Sequence, residues 1–363
     1  MVGNDGSAGG TGSADGGGAI VARRPRRGPT IVDVARKAGV SKSLVSLVMR
    51  GAPNVSPERR EAVMAAAAEL GYRPNAMAQS LVRRRSFVIG VMLSDLHNPF
   101  FTAVVDGISS TAHAAEYRAL VNTGDRSPGS EKDAVETLLR LRTDGIVLAG
   151  TVIGAATIDR LGRETPVVLA SRVSRSDAVD SVVTNDGLGA RLAVDYLVDL
   201  GHRHIAHVTG GRGAGAQSRR TGYRRAMVRH GLAGEVSIVP GAYTEAGGIE
   251  GVTRLHAEGR RPTAIFAPND LAAIGVIQAL EERNLRVPED VSVVGYDDSH
   301  LASLKHIWLT SVRQEPQRIG STSVELLLER LDGGRTKARH VVLTPGFTVR
   351  GTTGPPPNRP SPW

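Results

Sequence analysis

The sequence predicts an α/β fold, in which a small all-α helix-turn-helix headpiece precedes a body of two doubly wound, parallel-sheet subdomains. Three observations support this prediction. The chain has 363 residues, too many for one ordinary domain of about 100–200 residues. Residues 30–71 contain three short helical patterns. From residue 87 onward, apolar strand-like runs alternate with amphipathic helices, which is typical of parallel sheets covered on both faces.

Composition excludes several classes of protein. The chain has no Cys, which excludes disulfides, thiolate metal sites and Cys nucleophiles. No run approaches 18 apolar residues, and the first 22 residues hold no long hydrophobic stretch. We therefore expect a cytoplasmic protein with neither a membrane span nor a secretory signal. His202 and His204 alternate on a strand edge without a third ligand nearby, so we expect no metal site and no cofactor.

The positive charge is confined to the N-terminal part of the chain. Residues 1–85 hold 14 Lys and Arg against 6 Asp and Glu, whereas the rest of the chain holds 31 against 30. A basic head on a neutral body is typical of nucleic-acid binding, because neutralised phosphates release counterions. Charge alone leaves a solubilising tail open as the alternative.

The first 28 residues contain nine Gly and almost nothing to bury, so we expect a disordered basic tail. A start codon placed too far upstream would explain the segment equally well. Its basic cluster, residues 23–27, either follows a DNA groove or is a solvated run of charge.

Residues 29–73 predict a helix-turn-helix headpiece. Thr30 and Asp33 have capping-box spacing at the start of a first helix, which ends at Gly39. Ser41 caps a second helix after a tight turn. A third helix begins at residues 56–57 (Ser-Pro) and stops at a glycine, residue 71. Residues 74–85 then predict a hinge: a two-turn helix at 75–82, too short to be stable alone, and an Arg run.

The second helix carries the residues that suit base recognition. In a helix-turn-helix this helix enters the major groove. Its positions that are not needed for the inward face are Lys42, Ser43, Ser46, Leu47 and Arg50. Lys42 and Arg50 suit guanine or phosphate, Ser43 is a flexible hydrogen-bonding group, and Leu47 suits a thymine methyl.

The body, residues 86–350, predicts two subdomains with a cleft between them. The predicted strands are 87–93, 118–122, 145–148, 166–170, 205–209, 264–267 and 291–296. The predicted helices include 186–200, 218–230, 269–283 and 317–331. Residues 351–363 hold five Pro and no Leu, so we expect a disordered tail.

The chain resembles the lactose/galactose-repressor (LacI/GalR) family of bacterial transcription regulators. The motifs that carry the resemblance span residues 30–350 and include TIVDVARKAGVS at 30–41, NVSP at 54–57, LGYRPNA at 70–76, AQSL at 78–81, NPFF at 98–101, DGLGA at 186–190, LGHRHI at 200–205, RRTGY at 219–223, NDLA at 269–272 and GYDD at 295–298. The resemblance implies a periplasmic-binding-protein-like body and a homodimer that reads palindromic double-stranded DNA. A dimer is expected because residues 351–363 lack the leucine heptads of tetrameric relatives.

The resemblance also implies DNA-facing residues. In the headpiece these are Ile31, Lys42, Ser43, Ser46, Leu47, Arg50, Asn54, Ser56, Arg59 and Tyr72, and in the hinge Asn75, Ala78, Gln79 and Leu81. Leu81 matches the family's minor-groove wedge, although hinge packing is an alternative for it. The family's usual Thr, Arg and Asn are replaced here by Leu44, Leu47 and Arg50, so no operator sequence can be taken over from relatives.

Ligands of open α/β sheets bind beyond the carboxyl ends of the strands. Asn98, Phe100 and Phe101 follow the first strand, Asp297 follows the seventh, and Gln314 follows a late crossover. The resemblance adds Ser171, Arg219, Tyr243 and Asn269 to this effector cleft.

The expected ligand is a sugar, polyol or nucleoside. Aromatic faces of Phe100, Phe101 and Tyr243 would stack on it, while Arg219 and Asp297 bind its hydroxyls. Other roles remain open: the two Phe residues as core, Asp297 as a loop cap and Arg219 as a surface charge. Ser171 stands where many relatives have Asp, which leaves one contact in doubt.

We therefore expect a sequence-specific DNA-binding repressor, not an enzyme, whose operator affinity is set by a small molecule. Control by a protein partner is the main alternative, and a non-exported sugar-binding protein is another. A dinucleotide enzyme is a third, since residues 211–216 fit G-x-G-x-x-A after a strand. However, the next strand, 236–239, lacks the terminal acid that would bind a ribose.

Overall fold

The computed structural model describes residues 28–73, 85–358 and Trp363. The chain divides into two compact units, Met1–Val82 and Arg83–Trp363, which we call the headpiece unit and the core unit. The predicted N-terminal tail and the hinge residues Asn75, Ala78, Gln79 and Leu81 lie outside the described residues.

The headpiece contains three helices, α1 (Ile31–Lys37), α2 (Lys42–Met49) and α3 (Pro57–Leu70). The predicted side-chain caps of α1 and α2 are confirmed. The Asp33 carboxylate accepts from the Thr30 amide at 2.9 Å while the Thr30 hydroxyl accepts from the Asp33 amide. Ser41 accepts from the amide of residue 44 at 3.1 Å. Gly71 ends α3 with φ 64°, a conformation that glycine adopts without steric cost.

The three helices enclose a small apolar core. Its buried members are Val34, Ala35, Val45, Val48, Val55, Val63, Ala66 and Ala67. Small side chains let the helices approach closely, and the residues of α2 that are absent from this core are left to face outward. Ser56 precedes α3 as predicted, but its hydroxyl accepts no cap hydrogen bond from the backbone.

The core unit contains two six-stranded sheets. The first comprises β1 (Val88–Leu93), β2 (Arg118–Thr123), β3 (Gly145–Ala149), β4 (Val167–Ala170), β5 (Asp180–Thr184) and β11 (His340–Leu343), in the order β11-β5-β4-β3-β1-β2. All its pairings are parallel. The second comprises β6 (Ile205–Val208), β7 (Ser237–Val239), β8 (Ala264–Phe266), β9 (Ser292–Asp297), β10 (Thr310–Arg313) and β12 (Gly346–Thr348), in the order β12-β10-β9-β8-β6-β7. Only β12 runs antiparallel there.

Helices connect and cover these strands. They are α4 (Pro99–Ala114), α5 (Pro128–Arg140), α6 (Ala155–Glu164), α7 (Asp186–Asp199), α8 (Ala216–Arg229), α9 (Glu245–Ala257), α10 (Asp270–Glu281) and α11 (Pro316–Leu331), with short 3₁₀ turns at Ala233–Glu235 and His300–Ser303. In the first subdomain α4 and α11 pack together, and a Cβ at Gly107 would lie 2.1 Å from the carbonyl oxygen of Gln317. The predicted fold class, with two parallel-dominated sheets, is confirmed.

Four strands, β5, β10, β11 and β12, do not appear among the predicted strands. β5 begins with a charged residue, Asp180, which is fully buried. Its carboxylate is held by Arg330 at 2.7 Å and Arg335 at 2.8 Å. In a sequence, a carboxylate indicates a surface residue. Here these arginines and the Arg339 amide, all distant in sequence, make its burial possible.

The prediction of a disordered tail at residues 351–363 is wrong for residues 351–358. Thr352 is 5% exposed, and its carbonyl accepts from the Val293 amide at 2.8 Å. Its hydroxyl also accepts from the Thr310 amide at 3.0 Å. The segment therefore satisfies backbone donors near the starts of β9 and β10, which a count of prolines does not reveal. Trp363 donates to the carbonyl of Pro262.

None of the helices in the described part of the chain combines the length and the apolar character needed to cross a membrane.

Candidate functional site

The outer face of α2 presents the predicted base-reading residues. Lys42, Ser43, Leu47 and Arg50 are exposed, and Ser46 is half-buried. Leu47 is 38% exposed although it is apolar. The Arg50 guanidinium folds back to donate to the carbonyl of Ser46 at 3.1 Å. This face offers a cation, a hydroxyl and an apolar side chain on one helix, which is the set that major-groove reading uses.

The other predicted headpiece residues divide into two groups. Asn54, Ser56 and Arg59 are exposed around the start of α3. Ile31 and Tyr72 are half-buried and pack against the headpiece core. Their burial favours a structural contribution, with only the remaining exposed edge open to a phosphate or base.

The carboxyl ends of both sheets meet at a cavity of about 220 Å³ in the core unit. All nine predicted effector residues line it: Asn98, Phe100, Phe101, Ser171, Arg219, Tyr243, Asn269, Asp297 and Gln314. The rule that ligands bind beyond strand ends gave five of these residues, and the family resemblance gave the other four. We call this cavity the cleft.

Arg219 lies on α8 and is almost fully buried in the cleft wall. Its Nε donates to Asp186 Oδ1 at 2.9 Å, and its Nη1 donates to the carbonyl of Pro268. The guanidinium also stacks on the ring of Tyr296, 3.6 Å from the centroid. Burial opposes the charged form, but Tyr243 and Asp186 outweigh it and raise the pKa of Arg219 above its ordinary value. The Arg219 side chain is thus a fixed cation, and the possible surface role for it is wrong.

Asp297, Gln314 and Thr184 form a chain of hydrogen bonds between the two subdomains. Gln314 Nε2 donates to Asp297 Oδ1 at 2.7 Å, and Thr184 Oγ1 donates to Gln314 Oε1 at 2.6 Å. Thr184 ends β5 of the first sheet, whereas Asp297 ends β9 of the second. Burial raises the pKa of Asp297 well above its ordinary value although Arg219 opposes this shift. The carboxyl group is therefore sensitive to any ligand that changes its hydration or its partners.

Tyr243 and Asn269 hold the glycine-rich loop before α8. The Tyr243 hydroxyl donates to the carbonyl of residue 214 at 2.8 Å. Its ring packs on Gly210 and Gly213, where an added Cβ would lie 2.4 Å from ring atoms. Asn269 caps α10 and donates to the Tyr243 carbonyl. The spacing of glycines at 211–216 is thus accounted for in part by close packing against an aromatic ring.

Asn98, Phe100 and Phe101 occupy the start of α4. Asn98 caps the helix through the amide of Phe100 at 3.0 Å. Phe100 is only 5% exposed and belongs to the apolar core, so its burial does not favour ligand stacking. Phe101 is half-buried and lies over Gly150, where a Cβ would come 2.2 Å from the ring. Of the two rings, Phe101 is the one available to a ligand.

Ser171 follows β4 with a left-handed backbone, φ 66°. Its amide donates to the carbonyl of Val182 at 2.8 Å. Its hydroxyl is buried and has no hydrogen-bond partner among the described residues. An unpaired hydroxyl in the wall of a cleft is a group that a ligand can satisfy.

Sequence reasoning did not place six polar residues of the cleft wall. These are Ser94, Asp95, Arg126, Thr184, Asp186 and Arg212. Asp186 stood in a quoted motif, and it opens α7 directly after β5. The missing signal was β5 itself, because a strand assigned at 180–184 would have placed Thr184 and Asp186 at the same sheet edge.

His202 and His204, which the sequence analysis considered as metal ligands, have structural hydrogen-bond partners. His202 lies within 3.1 Å of the Thr263 and Ser292 hydroxyls, and His204 pairs with Glu235. Within residues 28–73 and 85–358, no group of three or more His, Asp or Glu side chains is placed to hold a metal ion.

Comparisons with known proteins match both units. Residues 30–75 match the family "Bacterial regulatory proteins, lacI family", and residues 194–353 match "Periplasmic binding protein-like domain". Catabolite control protein A of Priestia megaterium is 35% identical over 84% of this chain and 92% of its own length. The ribose operon repressor of Haemophilus influenzae is 34% identical over 88% of this chain and 97% of its own.

A solved structure extends the match to three dimensions. The lac repressor dimer bound to operator and the anti-inducer ONPF is 32% identical, has a TM-score of 0.80, and covers 90% of this chain and 100% of that one. The helix-turn-helix, the two sheets and the cleft agree with these matches. The chain belongs to the lacI family of bacterial regulatory proteins, a family of DNA-binding transcriptional repressors.

Proposed function

We propose that this chain is a homodimeric repressor whose affinity for a palindromic operator is controlled by a small molecule bound in the cleft. It acts in the cytoplasm, where the DNA is, and by binding without catalysis. The observation that carries the proposal is the joint presence of an exposed polar face on α2 and a cleft lined by both subdomains.

The cleft suits a polyhydroxylated ligand. Arg219 supplies a fixed cation, Asp297 and Gln314 supply acceptors and donors, and Phe101 supplies an aromatic face. Sugars, polyols and nucleosides combine hydroxyl groups with apolar faces, which this combination recognises. The relatives named for ribose and for the lac operon support this ligand class.

A structural route leads from the cleft toward the hinge. Gln314 contacts both subdomains and lies two residues before α11. At the other end of α11, the Leu331 carbonyl accepts from the Arg85 guanidinium, which also pairs with Asp332 at 3.0 Å. Arg85 is the last residue of the segment predicted to be the hinge, and it is the one residue of that segment that the structure describes.

Control then follows from two states of the core. A ligand that binds one arrangement of the subdomains more tightly shifts the population toward it. The shift moves α11 and, through Arg85, the C-terminal end of the predicted hinge. A ligand that favours the hinge-paired state acts as a co-repressor, and one that favours the other state acts as an inducer.

The test begins with purified full-length protein and fragmented genomic DNA. Bound fragments are sequenced, and binding is repeated with sugars, polyols and nucleosides. We expect one palindromic site whose occupancy changes with a compound. If occupancy of the palindrome is unaffected by every compound but changes with a protein from the same cell, the controlling partner is that protein and not a small molecule. Absence of any selected site would refute the DNA-binding role.

A further inference from the structure

A second chamber adjoins the cleft and opens outward from it. Its volume is about 590 Å³. The two spaces share wall residues, among them Arg126, Ser171 and Arg212, so they lie side by side. We call the cleft the inner chamber and this space the outer chamber. A ligand in the inner chamber can therefore extend into the outer one.

The outer chamber has an excess of positive charge. Three arginines from three separate loops line it: Arg126 after β2, Arg172 after β4 and Arg212 after β6. The carboxylate in its wall is that of Asp186, which is already paired with Arg219. The lining of this chamber therefore carries three cations and one carboxylate.

The individual arginines keep hydrogen-bonding capacity. Arg126 lies 3.7 Å from Asp95, at the outer limit of an ion pair, and its side chain is 49% exposed. Arg212 is exposed, and no ion pair or hydrogen bond of its side chain occurs among the described residues. Arg172 donates through Nη1 to the carbonyls of Thr151 and Ile153, which leaves its other nitrogens available.

The loop that binds Arg172 is itself fixed by a buried carboxylate. The fully buried Glu131 carboxylate accepts from the amides of Val152 and Ile153 and from the hydroxyl of Thr151. The loop at residues 151–153 thus donates two amides to Glu131, and two of its carbonyls accept from Arg172. Burial lowers the pKa of Arg172, although the charge of the Glu131 carboxylate opposes this shift. An anion in the outer chamber would relieve this cost.

We propose that the effector is an anionic sugar or polyol, with its hydroxylated part in the inner chamber and its anionic group bound by Arg126, Arg172 and Arg212 in the outer one. This inference rests on the proposed function and narrows its ligand class. Guanidinium forks match the oxygens of phosphate and carboxylate groups, and such charge-assisted bonds are among the strongest hydrogen bonds. The unpaired Ser171 hydroxyl lies in the wall common to both chambers, beside the expected link between the two parts.

The test uses matched pairs of probes that differ in charge. Each neutral compound, such as D-ribose or D-glucose, is compared with its charged counterpart: D-ribose 5-phosphate, D-glucose 6-phosphate or D-glucuronate. Thermal shift identifies binding, and calorimetry gives the dissociation constant on the full-length protein. We expect at least one charged probe to bind about 10-fold more tightly than its neutral partner, which corresponds to one charge-assisted interaction. Preference for the phosphate or the carboxylate identifies the anion.

Variants then locate the anionic group. Arg126→Gln and Arg212→Gln change partly or fully exposed side chains, so folding should persist, and the unliganded melting temperature checks this. We expect each to weaken binding of the charged probe about 5-fold more than it weakens binding of the neutral probe, because both side chains also border the inner chamber. Arg225→Gln is the matched control, since Arg225 is an exposed arginine of α8 outside both chamber linings.

Two results would overturn the inference. One is a panel in which no charged probe binds more tightly than its neutral partner. The other is a charged probe whose affinity is unchanged in the Arg126→Gln/Arg212→Gln double variant. If a neutral sugar still shifts operator occupancy in either case, the proposed function stands and only the anionic ligand is refuted.

Discussion

Removal of either partner of the buried ion pair between Arg219 and Asp186 is expected to cost the core unit several kcal/mol of stability. The two side chains are 7% and 12% exposed, and their charged atoms lie 2.9 Å apart. At an effective dielectric constant of about 20, charges at about 3 Å attract by about 5 kcal/mol. Desolvation offsets much of this attraction, but removal of one partner leaves the other buried and unpaired, at a cost of about 3–5 kcal/mol.

A double-mutant cycle measures this interaction. Arg219→Met, Asp186→Asn and the double variant are unfolded in urea and followed by Trp fluorescence, since both Trp residues lie in the core unit. We expect each single variant to lose about 3 kcal/mol or more, and the double variant to lose about 2 kcal/mol less than the sum. Arg225→Met, on the exposed face of α8, should change stability by no more than about 0.5 kcal/mol. Losses below about 1 kcal/mol, or strictly additive losses, would refute the reasoning.

Three further predictions concern pH and DNA. Burial raises the pKa of Asp270 to about 6 and that of Asp297 above its ordinary value. The native state therefore binds protons that the unfolded state has released, and it loses stability as the pH rises above the ordinary pKa of an Asp. The free energy of unfolding of Asp297→Asn, measured in urea, should therefore rise relative to that of wild type as the pH is raised from 4.5 to 7.5. A difference between the two that is the same at every pH would contradict this. Leu81→Ala should weaken operator binding without changing ligand affinity, and an equal loss of both would exclude the wedge role. Lys42→Ala should lower operator affinity and reduce the slope of the log binding constant against log salt concentration by about 1. Arg36→Ala, on α1, should change neither.

Local signals explain why the headpiece was predictable. The Thr30 capping box, the Ser41 cap and the left-handed Gly71 each depend on residues within one helical turn. The alternation of strands and helices likewise predicted two doubly wound sheets. These features need no knowledge of contacts that are distant in sequence.

Long-range pairing explains most of what was missed. Asp180 is buried in β5 because Arg330 and Arg335, about 150 residues later, neutralise it. Thr352 orders the predicted tail by bonding to β9 and to the start of β10. No local pattern marks these residues as buried.

The same reasoning applies to the cleft. The strand-end rule placed Asn98, Asp297 and Gln314 where the structure has them. It did not reveal that two donors of Arg219 are already engaged, by Asp186 and by Pro268. Arg219 therefore offers a ligand its remaining nitrogen and its charge.

The central claim is that the cleft and the operator site are coupled. The direct test is a fluorescence-anisotropy titration of the selected palindrome with full-length protein, with and without a compound that calorimetry shows to be bound. We predict that the bound compound changes the operator dissociation constant by about 5-fold to 150-fold, the usual range of allosteric coupling. An unchanged dissociation constant at saturating compound would contradict the claim.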